Sequence, residues 1–481
     1  MSVEMLATFD FDAPRQREFA RLSGDWNPIH VDHLHARRTP AGSLVVHGVH
    51  SVCRCLEALA ENYERLPNIA RLAVRFAKPT FVGDRITIVL AERTDSQIRV
   101  QACVGDTVTT QLTLHRTGGM TELPALPADP IRFDRPAPRE RSFREIAAAK
   151  GTVGSAATSD EIRTHFAAAS NWIGSARLSA LLCISRIVGM ECPGLYSLLA
   201  SFDLEFGETP SDSNMSYKVV KGDERFRRVK MAVEGFGVRG TVDAFMRHPP
   251  TRQLSFLEVA TRLKRNEFAG QPALVVGGSR GLGELTSKII AAGGGHPVLT
   301  YSVGEEDAKR VQAEITAGGG ICNVLQYDVR LPARTQVEQL ARPVQYLYYY
   351  ATCPIFRRKT EVCEARLLDE FLQFYVHGFQ ELCLALMPQA QGQLSVYCPS
   401  SSSVLLNDRP RGVTEYAMVK AGCEVLCEDL MREIPGLKIL SSRLPRLETD
   451  QTSSFVPAKL PNALEILLPV IREVQSRGLS A

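Results

Sequence analysis

The chain has 481 residues, which at roughly 150 per domain predicts about three domains. Hydrophobic residues make up 44% and charged residues 23%, which excludes intrinsic disorder, collagen-like repeats and coiled coil as the main architecture. A net charge of +3, from 56 Lys and Arg against 53 Asp and Glu, is too even for a dedicated nucleic-acid binder. The most apolar stretch, Leu178 to Met190, is interrupted by Arg186, so no membrane association is expected. Residues 1–12 lack a basic start, which argues against a secretory signal. The 12 cysteines are scattered without a C-x-x-C, the pattern of reduced thiols in a cytoplasmic protein.

Three blocks follow along the chain. In the first, residues 1–121, a short helix is predicted at Arg15–Leu22, then a loop to Val46 and an apolar helix over Gly48–Leu59. Alternating segments come next, at Arg71–Phe76, Arg85–Leu90, Gln97–Val104 and Thr107–Leu114, the pattern of half-buried antiparallel strands. One central helix followed by an antiparallel meander is the order of a hotdog fold. Pro124, Pro127, Pro130, Pro136 and Pro138 then fall within fifteen residues and predict a linker over 122–140.

The second block, 141–255, repeats the order more faintly. A helix over Ser175–Val188 precedes Tyr196–Phe206, Met215–Lys221, Arg227–Glu234 and Gly240–Arg247, and Pro249–Pro250 breaks the chain near its end. The third block, 268–481, changes character. Strand Ala273–Val276, a glycine loop, helix Gly283–Ala292, strand Pro297–Tyr301, helix Glu305–Ala317 and strand Asn323–Tyr327 alternate as in a parallel, doubly wound sheet. The expected fold is an α+β double hotdog followed by an α/β Rossmann-type sheet.

Residues Leu22–His30 read L-S-G-D-W-N-P-I-H, and His47–Gly48 follow. The Asn-Pro turn can bring Asp25 and His30 to one side of a loop, where a carboxylate and an imidazole converge on one water as an acid/base pair. Gly48 precedes an apolar helix, so its N–H is a free donor that a ligand carbonyl can approach closely. On spacing alone, a capped turn with a histidine satisfied in the core accounts for the same residues.

The stretches S-G-D-W-N-P-I-H-V-D, V-V-H-G-V and R-F-A-K-P-T-F-V-G-D, spanning about residues 10–115, resemble the MaoC-like (R)-specific enoyl-CoA hydratases. The resemblance implies that Asp25 and His30 add water to a 2-enoyl thioester or remove it, giving the (R)-3-hydroxyacyl isomer. It leaves open which of the two handles the Cα proton. Gly48 matches the oxyanion donor, and Asn27 is expected to orient the loop or the pair and to bind substrate. Block two carries neither motif, so His165 and His248 are expected to be structural. In related two-hotdog hydratases the half without the motif widens the acyl tunnel.

A second site is read from V-V-G-G-S-R-G-L-G-E, where Gly277, Gly281 and Gly283 lie between a strand and a helix. Backbone N–H groups of such a loop, here with Ser279, Arg280 and Leu282, cradle a pyrophosphate. Tyr416 and Lys420 are at i,i+4, which sets an ammonium beside a phenol and lets the phenol exchange a proton with a carbinol oxygen. Taken alone, that spacing also fits a surface lysine near a packed tyrosine.

Together the two signals resemble the short-chain dehydrogenase/reductase family over about 272–455. The resemblance implies adenine contact at Asp328, in Q-Y-D-V, and nicotinamide contact near Pro445 and Thr449, in P-R-L-E-T-D. The assisting serine is one of Ser400 to Ser403: spacing from the tyrosine favours Ser403, and distance from Gly392 favours Ser400 or Ser401. The second strand ends at Ser302 with no carboxylate before Glu305, and Arg280 lies in the glycine loop. That combination suits a 2′-phosphate and favours NADP(H) over NAD(H), with no metal. Two departures stand out. The family's N-N-A-G appears as Y-Y-A-T, Tyr349–Thr352, and its tetrad Asn is replaced near Tyr375.

The combined expectation is a bifunctional enzyme. It would reduce a 3-oxoacyl thioester with NADPH and dehydrate the (R)-3-hydroxyacyl product to the trans-2-enoyl thioester in fatty-acyl or polyketide biosynthesis. Its substrate would be an acyl-CoA or acyl carrier protein thioester, with no nucleic acid, and it would be a homodimer or larger. The alternatives are hydration followed by oxidation in the degradative direction, and a hydratase carrying a non-catalytic Rossmann scaffold.

Overall fold

Two apolar helices organise the N-terminal unit, which ends at Pro249. The computed structural model describes residues 4–117, 137–207, 214–356, 363–452 and 460–479. Helix Gly48–Asn62 buries Val49, Val52, Cys53, Leu56 and Leu59, the helical spacing of one apolar stripe. Helix Ser175–Arg186 is buried on every side from Ala176 onward, as expected where a helix is enclosed by its surroundings.

Ten strands wrap these helices: β1 (Glu4–Asp10), β2 (Ile69–Phe76), β3 (Arg85–Arg93), β4 (Gln97–Val104), β5 (Thr107–Arg116), β6 (Lys150–Gly154), β7 (Ser197–Phe206), β8 (Asn214–Asp223), β9 (Arg228–Gly235) and β10 (Val238–Met246). They form one antiparallel sheet in the order β1-β3-β4-β5-β2-β7-β10-β9-β8-β6. Alternation sets the inner face: Ile98, Val100 and Ala102 in β4, and Val229, Met231 and Val233 in β9, are buried. The halves join where β2 pairs with β7, with Arg71 opposite Glu205 and Arg75 opposite Ser201. Their apolar side chains form one continuous core. The double hotdog order is therefore present in full, with edge strands β1 and β6 added to the elements expected from sequence.

The C-terminal unit has the parallel, doubly wound sheet. Strands β11 (Pro272–Val276), β12 (His296–Tyr301), β13 (Asn323–Gln326), β14 (Tyr346–Tyr349), β15 (Leu394–Tyr397) and β17 (Leu437–Leu440) run in the order β13-β12-β11-β14-β15-β17. A short parallel pair, β16 (Ser400–Ser401) with β18 (Arg443–Leu444), follows the ends of β15 and β17.

Two boundaries differ from the sequence reading. Residues 250–267 belong with the C-terminal unit rather than with the second hotdog or a joint. Ser255 and Glu258 form a capping box that opens helix Phe256–Ala260. Phe256 then packs with Leu299 and Val311, and Val259 with Phe268 and Ile289. The second difference concerns the linker. Arg139 N–H already bonds the Met190 carbonyl at 2.9 Å, and Tyr196 donates to Glu140 at 2.9 Å, so the linker's end is part of the second half. Residues 122–136, with Pro124, Pro127, Pro130 and Pro136, lie outside the described residues. Among the described residues no single helix is long and apolar enough to cross a membrane.

Candidate functional site

In the N-terminal unit, helix Ala13–Ser23 stops at Gly24, whose φ of 71° is the left-handed conformation that closes a helix end. The chain then runs through Asp25 to Asn27, whose side chain caps helix Pro28–Val31 by accepting from Ile29 N–H at 3.2 Å. His30 lies on that short helix. One oxygen of Asp25 and one ring nitrogen each from His30 and His47 fall within 4.8 Å of one another. The sequence pair is therefore brought together.

His30 Nδ1 is 2.7 Å from the Val45 carbonyl. A carbonyl only accepts, so Nδ1 carries hydrogen and Nε2 keeps the lone pair of the neutral ring. Asp25 is 2% exposed; its Oδ1 accepts from Asn27 N–H at 3.2 Å and its Oδ2 from the Ser185 hydroxyl at 2.7 Å. Burial pushes the Asp25 carboxyl above its ordinary range, partly offset by His30 and then by the Ser185 hydrogen bond. Burial likewise pushes His30 down, partly offset by the Asp25 charge. Burial thus favours a neutral acid beside a neutral base.

Gly48 opens its helix, so its N–H has no acceptor within the helix. A side chain there would meet the Phe76 ring, 2.8 Å from an added Cβ, so anything larger than glycine must displace that ring. Three further residues complete the site: His47, noted in the sequence only as the neighbour of Gly48, and two from the second half that it did not mark. His47, fully buried, places Nε2 3.0 Å from the Asp25 backbone carbonyl and Nδ1 2.9 Å from Gln16 Oε1. Ser185 and Gly189 come from the second half; a Cβ on Gly189 would fall 2.1 Å from Asp25 Oδ1. Ser185 lies in a helix with no motif, so nothing local marks it.

Asn27, expected to orient the loop or the acid/base pair and to bind substrate, is held by protein contacts. It is fully buried, and its amide donates to the carbonyls of Gly189 at 2.8 Å and Gly194 at 3.1 Å. Its side chain is engaged by protein on both ends. His165 pairs with Glu18 at 3.1 Å, a surface contact in keeping with a structural role. A shallow groove of about 1060 Å³ on the outer face of the sheet contains none of these residues. Its Arg71 and Arg239 are paired with Asp203 and Glu205, so its charges answer one another.

In the C-terminal unit, Gly277 and Gly281 have φ of 75° and 58°, and a Cβ on Gly283 would lie 2.3 Å from the Gly277 carbonyl oxygen. The loop is therefore built for glycine, and it leaves the first-turn N–H groups of helix Gly281–Ala292 facing outward for a phosphate. The helix starts at Gly281, two residues before the expected Gly283. Ser279 is buried, and Leu282 packs against the core beneath. Arg280 reaches Asp450 at 3.5 Å, a carboxylate that also accepts from Thr251 N–H. Thr449 borders the loop, its Cγ2 3.8 Å from where a Gly281 Cβ would stand.

At the other end, the Ser302 hydroxyl donates to Asp328 at 3.4 Å. Arg330, not anticipated, grips Asp328 with two donors and holds its carboxyl below the usual range. These glycines, Ser302, Asp328 and Thr449 fit a dinucleotide cradle. Helix Thr414–Glu433 carries a half-buried Tyr416 and a buried Lys420. Lys420 Nζ donates to the Pro399 carbonyl at 2.7 Å and sits 4.1 Å from the Tyr375 ring and 5.9 Å from the Tyr416 ring. Tyr375 lies in a π turn, Gln373–His377, packed edge-on to Tyr416 at 5.6 Å and hydrogen-bonded to Thr352. Ser400 donates to Glu424, whereas the Ser403 hydroxyl makes no hydrogen bond among the described residues.

Residues 12–113 match the family model described as MaoC like domain, and residues 271–443 match that described as short chain dehydrogenase. Over 100 residues, 19% of this chain, the sequence is 29% identical to a 3-hydroxybutyryl-CoA dehydratase of Methylorubrum extorquens, and it spans 62% of that relative's length. Similar solved structures include a short chain dehydrogenase from Burkholderia cenocepacia in complex with NADP, at 24% identity over 43% of this chain and 91% of the other, with a TM-score of 0.38. A 3-oxoacyl (acyl-carrier-protein) reductase from Agrobacterium tumefaciens with NADP bound is 23% identical over 38% of this chain and 73% of the other, with a TM-score of 0.35. The chain thus joins an N-terminal MaoC-like hotdog domain to a C-terminal short-chain dehydrogenase domain.

Proposed function

We propose that the protein is a bifunctional enzyme that reduces a 3-oxoacyl thioester to the (R)-3-hydroxyacyl thioester and dehydrates it to the trans-2-enoyl thioester. The observation that supports this reading is the buried Asp25 carboxyl and the half-buried His30 imidazole within 4.8 Å of each other, in a chain that also has a glycine loop between a strand and a helix. The Gly48 N–H receives the thioester oxygen, so negative charge can build there. His30 Nε2 takes the Cα proton, and that electron pair forms the Cα–Cβ double bond. The Cβ–oxygen bond breaks as Asp25 gives its proton to the departing hydroxyl, which leaves as water.

In the other domain, Gly277, Gly281, Gly283, Ser302, Asp328 and Thr449 would hold NADP(H), which supplies the hydride when bound. Tyr416 gives a proton to the carbonyl oxygen as it becomes a carbinol, Lys420 keeps positive charge beside it, and Ser403 holds the carbonyl. The absence of a carboxylate at Ser302, with Arg280 in the loop, supports NADP(H) over NAD(H). The thioester is carried on CoA or acyl carrier protein in fatty-acyl or polyketide biosynthesis, and the enzyme acts as a homodimer or larger. A second reading, a hydratase with a scaffold domain, is favoured by Tyr375, whose ring packs on Lys420 where the family has its catalytic Asn.

A paired assay tests both. Hydration of crotonyl-CoA is followed at the enoyl absorbance, and NADPH oxidation is followed with acetoacetyl-CoA. Both activities are expected; hydration alone selects the scaffold, and preference for NAD in oxidation selects the degradative direction. Tyr416→Phe is expected to lower reduction about a hundredfold or more and leave hydration intact. An unaffected reduction rate would remove that tyrosine from the mechanism.

A further inference from the structure

Ser185 is the penultimate residue of helix Ser175–Arg186, in the half that carries neither catalytic motif. Its hydroxyl donates to Asp25 Oδ2 at 2.7 Å across 160 residues of sequence, and the two residues are 5% and 2% exposed. A helical serine often turns its hydroxyl back to the carbonyl four residues earlier. Here it turns to the carboxylate instead. The contact is built from several sides. Gly189 admits the carboxylate where a Cβ would stand 2.1 Å from Oδ1, and the Asn27 amide ties the Asp25 loop to the Gly189 and Gly194 carbonyls. The other titratable or charged groups around Asp25 are His30 on the next short helix, His47 at its backbone carbonyl, and Arg186 beside Ser185.

We propose that Ser185 is a positioning residue for the water-transfer reaction: its hydroxyl fixes the rotation of the Asp25 carboxyl and eases release of the Asp25 proton. This rests on the reading of Asp25 as half of the acid/base pair. A donor to the carboxylate stabilises the form that has lost its proton, so a proton held in a dry site becomes transferable. The half of the hotdog pair without a motif is then part of the catalytic machinery.

The test is the pH profile of crotonyl-CoA hydration for the full chain and for Ser185→Ala. Loss of the hydroxyl is expected to lower kcat about tenfold to a hundredfold, with a smaller change in KM. The limb of the profile set by Asp25 should move to higher pH by about one unit, whether that residue gives or takes the proton. Ser185→Thr, which keeps the hydroxyl, should restore the original limb. A folded S185A enzyme with an unmoved limb overturns the proposal, even if its rate has dropped. Should S185A not fold, Ser185→Cys, close in size and a weaker donor, takes its place: a raised limb supports the proposal and an unmoved one overturns it. A wild-type enzyme that does not hydrate crotonyl-CoA at any pH is a different result, and refutes the acid/base reading itself.

Discussion

The two hotdog halves share an element order and differ in what their central helices do. Helix Gly48–Asn62 carries polar side chains, His50, Ser51 and Glu57, within its buried stretch and begins at a glycine whose N–H has no acceptor within the helix. Helix Ser175–Arg186 is buried along its length, and the π turn that continues it, Ile187–Glu191, brings Gly189 against Asp25. A duplicated fold has thus divided its labour. One half carries Asp25, His30 and Gly48, and the other lays Ser185, Gly189 and the Gly194 carbonyl against that loop. The motif-free half, expected to widen the acyl tunnel, also keeps its central helix and brings Ser185 to the Asp25 carboxylate.

The sharpest break of this comparison is Asp25→Asn in the first half. It is expected to lower hydration by about a thousandfold or more while leaving any reductase activity unchanged, as read by the paired assay. Equal loss of both activities would mean that the domains do not work independently. The matching change in the second half is Gly189→Ala. The added methyl must displace the Asp25 carboxyl, so hydration should fall about tenfold to a hundredfold and the N-terminal unit should lose about 1–3 kcal/mol of stability in a denaturant titration. Full activity in that variant would show that the second half is only a wall.

The smallest effect is in pH dependence. Burial holds the proton affinity of His30 below its ordinary 6.5, so the neutral base persists as pH falls through 6.5. The acid limb of kcat/KM for dehydration is therefore expected below pH 6.5, read as a property of the coupled Asp25–His30 pair. A limb at or above 6.5 would place His30 in a wetter site than the structure gives it.

Much of this was legible in the chain. D-x-N-P-x-H pointed to Asp25 and His30 through its resemblance to the MaoC-like hydratases, since spacing alone also fits a capped turn with a core histidine. The glycine loop was legible because positive φ at Gly277 and Gly281, and the 2.3 Å approach at Gly283, exclude other residues. The edge strands were missed: β6 reads K-G-T-V-G, too short and glycine-rich to show a period, and it is held by its register with β8. Tyr375 and Asp450 also carried no local signal for the partners they meet in the fold, such as Lys420 and Arg280.

Sequence by itself determined the two domain types, the order of their elements, and the residues whose roles depend on near neighbours, because backbone conformation and hydrophobic period are local properties. Only the tertiary structure decided that Ser185, Gly189 and His47 surround Asp25, that the Asn27 amide nitrogen is engaged by the second half, and that Ser400 is bonded to Glu424 while the Ser403 hydroxyl makes no hydrogen bond among the described residues. Those facts depend on contacts between segments as much as 167 residues apart, where burial and hydrogen-bond geometry, rather than spacing along the chain, set the proton affinities on which the proposed chemistry rests.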